Sequence, residues 1–257
     1  MAPKTMAMQM TMTIRFEPCL AAALFLAGAA HAGTCRDMPF EAETYAVCEV
    51  AFGADLRLFL NGPDGRPIGT FERLRGTAAA AGKALGFAMN AGMYHPDRSP
   101  VGLYIEDGRE FSKLVRSAGP GNFGMLPNGV FCITHTRFLV QETRAFDTAR
   151  PDCRYASQSG PLLVMAGMLH PRFLENATSR HVRNGVGVSQ DGQTAWFVLS
   201  DRAVSFHDFA RLFRDGLGVP DALYFDGNIS RLFAPELGRD DAGFPMGPMV
   251  GLLVPPP

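Results

Sequence analysis

Apolar and polar positions alternate in short blocks along most of this 257-residue chain, and Gly-rich turns separate the blocks. Residues 54–60 read as a strand that the Asn61-Gly62-Pro63-Asp64-Gly65 cluster ends. The Ala-rich stretch 78–85 predicts a short helix stopped by Gly86, and 87–90 a short strand running into a polar loop. Further strands are expected over 101–105, turning at Asp107-Gly108, and over 162–165 and 222–225. Residues 130–134 and 138–141 should pair as a hairpin, as should 185–189 and 194–199 around Asp191-Gly192. One helix has a clear buried face: Phe206, Phe209, Ala210, Phe213 and Leu217 recur at helical spacing, with Ser205 as N-cap, Asp208 in the first turn, and Gly216 or Gly218 at the end. Many strands, several hairpins and few helices predict an α+β fold: a single domain with a mixed, largely antiparallel β-sheet and a few flanking helices.

The N-terminus departs from this pattern. Lys4 and Arg15 precede an apolar run over 20–30, and Ala30-His31-Ala32 forms a small-x-small site before Gly33. This reads as a secretory signal peptide over residues 1–32, with the domain over 33–257. The apolar run is shorter than the roughly 18 residues that span a bilayer, so no stable membrane insertion is expected and the product is periplasmic or secreted. Cleavage removes Cys19 and leaves Cys35, Cys48, Cys132 and Cys153. In an oxidising compartment these suggest two disulfides. Of three possible pairings, Cys35–Cys48 and Cys132–Cys153 each join near neighbours and close a local loop.

Composition narrows the function. The formal net charge is −1 and no basic stripe exists, which argues against a nucleic-acid partner. His95, His135, His170, His181 and His207 lack metal-ligand spacing, and no Cys-x-x-Cys occurs, so neither a metal nor a cofactor is expected. Four segments combine a buried-looking strand end with Gly and short polar residues, a composition suited to a ligand pocket. They are Asn90-Ala91-Gly92-Met93-Tyr94, Ser157-Gln158-Ser159-Gly160-Pro161, Arg183-Asn184-Gly185-Val186-Gly187 and Asp226-Gly227-Asn228-Ile229-Ser230. Each alone could be an ordinary turn. The second lacks the Gly-x-Ser-x-Gly elbow of a serine nucleophile. In the third, an Arg could fork onto phosphate oxygens. In the fourth, a carboxylate at a strand end could serve as nucleophile, acid/base or ligand.

Taken in order, these segments resemble the phosphodiester glycosidase family. Residues 87–94 resemble its Asn-Gly-Gly-Phe-Phe segment, and Val101-Gly102-Leu103 with Asp107-Gly108 the piece that follows. Ser159-Gly160-Pro161-Leu162-Leu163 resembles its Gly-Pro segment, and Arg183 to Gly187 with Asp191-Gly192 its Arg-x-x-x-Gly hairpin. Residues 223–230 resemble its Leu-Asp-Gly-Gly-x-Ser strand end. Ala91 and Asn228 stand where the family has glycines.

The resemblance implies a hydrolase that cleaves the sugar C–O bond of a sugar phosphodiester, with N-acetylglucosamine as a candidate sugar and an envelope polysaccharide as a candidate source. It implies Asp226 as the catalytic carboxylate and Arg183 on the phosphate. Asn90, Asn228 and Ser230 would orient sugar and water, with Gly92, Tyr94, Ser159, Gly160, Asn184 and Gly227 completing the substrate site. Asp201, at the end of the 194–199 strand, is the candidate second carboxylate. Two other classes use the same residues: a glycan-phosphate-binding protein without turnover, and a metal-dependent phosphodiesterase built on Asp226, Asp201 and a His, with His170 and His181 nearest.

Overall fold

The computed structural model describes residues 1–4, 33–227 and 229–256. The expected leader, its cleavage site, Cys19 and Asn228 lie wholly or mostly outside the described residues. The chain divides into a segment Met1–Ala30 and a compact unit His31–Pro257. Along the unit run β1 (Thr34–Phe40), β2 (Glu43–Ala51), β3 (Asp55–Phe59), α1 (Phe71–Ala80), β4 (Ala84–Asn90), β5 (Tyr104–Glu106), β6 (Arg109–Ser112), β7 (Gly129–Thr134), β8 (Phe138–Glu142), α2 (Thr143–Ala149) and β9 (Cys153–Ser159). There follow β10 (Leu162–Met165), β11 (Met168–Leu169), β12 (Asn184–Val188), β13 (Thr194–Ser200), α3 (Phe206–Arg211), β14 (Asp221–Asp226), β15 (Leu232–Ala234), β16 (Arg239–Asp240) and β17 (Met249–Val254).

The fold is α+β. Three sheets run in the orders β1-β2-β13-β12-β14-β10-β11, β16-β15-β4-β17-β3 and β6-β5-β9-β7-β8. The sheet is antiparallel throughout rather than mixed: every strand pair among the described residues is antiparallel. The inner faces of all three sheets share one core. At its centre Phe131 of β7 meets Phe197 of β13 edge-on at 5.6 Å and Phe225 of β14 at 6.4 Å, while Phe87 of β4 lies 5.4 Å from Phe197. Strands from different sheets therefore end close together, and the polar segments follow those ends.

Both predicted hairpins form, β7 with β8 and β12 with β13. The Ala-rich helix is shifted. It starts at Phe71, where the Thr70 hydroxyl accepts the Arg73 N–H, and buries Phe71, Leu74 and Ala78. It ends before Gly82 (φ 69°), and residues 84–90 are a strand. Local capping outweighed Ala propensity. Residues 101–103 form a bend, so strand structure begins only at Tyr104.

The 206–217 helix is regular only to Arg211. A π-helical turn, Leu212–Gly216, completes it, with Leu217 N–H donating to Leu212 O at 2.9 Å. Close packing explains two glycines of the Arg183 segment. A Cβ on Gly185 would stand 2.6 Å from the Leu223 carbonyl of β14, and one on Gly187 would stand 2.7 Å from the Phe213 ring of the π turn. Both glycines serve packing against β12 rather than ligand approach.

The two disulfides are Cys35–Cys48 and Cys132–Cys153. No helix among the described residues is long and apolar enough to cross a membrane.

Candidate functional site

Asp226 is the last residue of β14, and its backbone is fixed from the neighbouring strand. Asn184, opposite it at the start of β12, accepts the Asp226 N–H on Oδ1 at 3.1 Å. The Asn184 amide donates to the backbone carbonyl of Asn90, at the end of β4, at 2.7 Å. Asn90 replies in kind: its amide donates to Asn184 Oδ1 at 3.3 Å and to the Ile229 carbonyl, and its Oδ1 accepts the Arg231 N–H at 3.0 Å. Ser230 closes the lattice by donating to the Asp226 carbonyl at 2.8 Å. Asn90 and Asn184 are fully buried. Their side chains face protein and hold the ends of β4, β12 and β14 together around Asp226.

Asp226 is 8 % exposed, and its carboxylate accepts the Gly227 N–H at 2.6 Å. Around it lie two phenols and a guanidinium. Burial raises the Tyr94 pKa first, and the Asp226 charge raises it further, so phenol and carboxylate share one electrostatic neighbourhood. Tyr224 sits two residues before Asp226 on β14, across a shift in its register with β12. Burial pushes its phenol well up, against the pull of Arg183 and with the push of Asp226. A Cβ at Gly227 would fall onto the Tyr224 hydroxyl, so this glycine is required by close approach.

Arg183 is almost fully buried, at 1 % exposure. Its Nε donates to the Val204 carbonyl at 2.9 Å, Nη1 to the Tyr224 hydroxyl at 3.4 Å and Nη2 to the Ser179 carbonyl at 3.4 Å. The guanidinium lies 3.6 Å from the Phe206 ring centroid. Beneath it the stack continues, Phe206 on Phe173 at 4.9 Å and Phe173 on His170 at 4.8 Å. Burial lowers the Arg183 pKa, and Tyr224 opposes the shift. The Phe206 face lends the buried cation electrostatic support.

The remaining candidates divide. Ser159 donates to the Phe225 carbonyl at 2.7 Å, one residue before Asp226. Gly92 (φ 151°) packs over the Ser157 hydroxyl, and Gly160 lies against Asn128 before a cis Pro161. All three are structural neighbours of the lattice. Asp201 is not drawn into it: its carboxylate pairs with Arg239 at 3.0 Å. Ser200 points inward instead, accepting the Arg183 N–H at 2.9 Å, and strand alternation turns Asp201 outward. His181 is exposed and bridges Val204 through its backbone. Among the described residues no cluster of His, Cys, Asp and Glu could hold a metal ion. Tyr224 and Phe206 were missed as site residues. The i−2 spacing of Tyr224 from Asp226 was the available signal.

His170, at the foot of the stack, has its pKa lowered by burial. Such a group favours the neutral form in the fold. Its contribution is complete above the ordinary His pKa of about 6.5 and is lost as pH falls through the lower folded value. Wild-type protein should therefore lose more stability between pH 7.5 and 5.5 than His170→Gln. Urea midpoints at the two pH values measure this, and equal losses would refute it.

A family model described as phosphodiester glycosidase matches residues 84–241, from β4 to just past β16. The chain is 35 % identical over 178 residues to the uncharacterized protein YigE of Escherichia coli strain K12, covering 69 % of each chain. Among solved structures, the catalytic domain of zebrafish N-acetylglucosamine-1-phosphodiester alpha-N-acetylglucosaminidase, auto-inhibited by its pro-peptide, superposes with TM-score 0.53 at 15 % identity, covering 86 % of this chain and 81 % of that one. A hypothetical protein from Synechocystis superposes with TM-score 0.52 at 14 % identity over 86 % of this chain; the chain spans only 62 % of that protein's length. At these identities the two likenesses concern the fold.

Proposed function

Since the chain belongs to the phosphodiester glycosidase family, we propose that it is an exported hydrolase that releases a sugar from a sugar phosphodiester, with Asp226 as the carboxylate at the anomeric carbon. The observation that carries this reading is the lattice of Asn90, Asn184 and Ser230, which fixes Asp226 at the meeting point of three strand ends. Preorganisation of that kind is what catalysis by a charged group requires.

The phosphate monoester is a good leaving group, so the reaction needs little help from a general acid. It needs a negative charge facing the oxocarbenium-like carbon and positive potential toward the phosphate. In this reading Asp226 supplies the first. Arg183 supplies the second through its field rather than by a two-pronged grip, because three of its five N–H groups already bind Val204, Tyr224 and Ser179. The Asp226 charge is felt by the Tyr94 and Tyr224 phenols, which places both in its neighbourhood. The two disulfides agree with an oxidising compartment outside the cytoplasm. The substrate would be a free sugar phosphodiester or such a linkage in an envelope polysaccharide.

The test is hydrolysis of an N-acetylglucosamine phosphodiester in ¹⁸O-water, with products read by mass spectrometry. Label on the sugar is the expected result and establishes C–O cleavage. Label on the phosphate would overturn the assignment in favour of P–O cleavage.

A further inference from the structure

Ser157 and Ser159 of β9 turn toward the lattice, donating to the carbonyls of Ala91 and Phe225. Gln158, between them, points to the opposite face of the strand. Its Oε1 accepts the N–H groups of Leu103 at 3.0 Å and Val115 at 2.9 Å. Its Nε2 donates to the Val115 carbonyl at 2.7 Å and to the hydroxyl of Thr143, the first residue of α2, at 3.1 Å. One buried side chain thus fastens the approach to β5, the segment 113–116 and α2 to one another. Residues of these three pieces line a cavity of about 340 Å³, within the size range of ligand pockets. No member of it takes part in the chemistry proposed for Asp226.

The floor of the cavity is apolar. Leu103 and Phe146 are buried there, with Ile105 and Leu114 packed half-buried beside them, in the small core that holds the Cys132–Cys153 bond. The rim is charged. Arg116 forks onto Asp147, Nε to Oδ2 at 2.5 Å and Nη2 to Oδ1 at 2.6 Å, and Arg150 Nη2 reaches the same Oδ1 at 3.2 Å. Two guanidiniums on one carboxylate leave a net positive charge, with N–H groups on both still free to donate. Lys113 and Glu110 add one charge of each sign and cancel. An apolar floor under a cationic rim suits a molecule built the opposite way round, an apolar body carrying a negative head. A cation of the same shape would meet repulsion at the rim.

We infer that this cavity is a binding site for an anionic amphiphile, with its chain on the floor of Leu103, Ile105, Leu114 and Phe146 and its head at Arg116 and Arg150. The head is a carboxylate or a phosphate ester, which a guanidinium fork takes equally. Free carboxylic acids and lipid phosphates are the two sources of that chemistry. Binding here needs no hydrolase activity, so it is read directly.

Titration calorimetry of the full chain with octanoate, octyl phosphate and octylammonium tests the site, beside Arg150→Glu and Leu114→Ser. At least one anion should bind saturably, and the tighter of the two names the source. Octylammonium should bind at least about tenfold more weakly. Each variant should weaken the preferred anion about tenfold, Arg150→Glu by turning the net charge of the trio negative and Leu114→Ser by removing apolar floor. Arg150 is largely exposed, so its variant folds and decides alone if Leu114→Ser melts early. No saturable binding of either anion, equal affinity for octylammonium, or unchanged affinity in a folded variant overturns the site.

Discussion

Asp226→Asn is expected to lower kcat about a thousandfold, equivalent to about 4 kcal/mol of transition-state stabilisation, while the chain stays folded. The replacement is nearly isosteric. The backbone N–H of residue 226 keeps its bond to Asn184, and an amide oxygen can still accept the Gly227 N–H. What is lost is the charge facing the reacting carbon. Loss of an interaction made mainly in the transition state should appear in kcat and kcat/KM together, with little change in substrate affinity. Steady-state kinetics on a sugar phosphodiester, beside a thermal melt, measures both sides. A variant with near-normal turnover would remove Asp226 from the chemistry, and a variant that melts early would make it a structural residue.

The second large effect concerns a residue that does no chemistry. Asn184→Ala should destabilise the fold by about 2–6 kcal/mol, because it removes the side-chain acceptor of the buried Asp226 N–H and the side-chain donor to the Asn90 carbonyl, at about 1–3 kcal/mol each. For a domain of this size that corresponds to a drop in Tm of roughly 4–24 °C. Turnover measured well below the new Tm should still be reduced, since the ends of β4, β12 and β14 are no longer locked in register around the carboxylate. Thermal melts with kinetics at low temperature measure this. A Tm within 2 °C of wild type would mean that water replaces the amide, and the lattice would then be dispensable.

The strands and hairpins legible in the sequence were those whose signals are local. The Asp191-Gly192 turn and the 222–225 run needed no knowledge of the rest of the chain, and α3 announced itself by Phe206, Phe209 and Phe213. Of β9 only the end, at Ser157-Gln158-Ser159, was legible, because the sequence Cys-Arg-Tyr-Ala-Ser-Gln-Ser is too polar to read as a whole strand. It is buried only because distant groups satisfy it, Ser157 donating to the Ala91 carbonyl and Ser159 to that of Phe225. β1 was missed because it is largely exposed and shows no alternation.

At the site, the four polar segments were legible but the contacts of their residues were not. Spacing cannot reveal that Arg183 is buried on top of an aromatic stack, or that Gly185 faces a strand carbonyl and Gly187 the π turn. Asp201 was chosen for standing at a strand end. The parity of the strand, which aims Ser200 inward, decides against it.

The Cys35–Cys48 bond joins residues directly opposite each other on β1 and β2. β1 is the outermost strand of the seven-stranded sheet, so the bond rivets a thin outer slat to the buried strand beneath. Under reducing conditions only the ladder would hold that slat, and its peeling would bare β2, an apolar strand whose edge N–H and C=O groups could template another chain. Chain made without an oxidising compartment should therefore lose itself to aggregation before it loses its site.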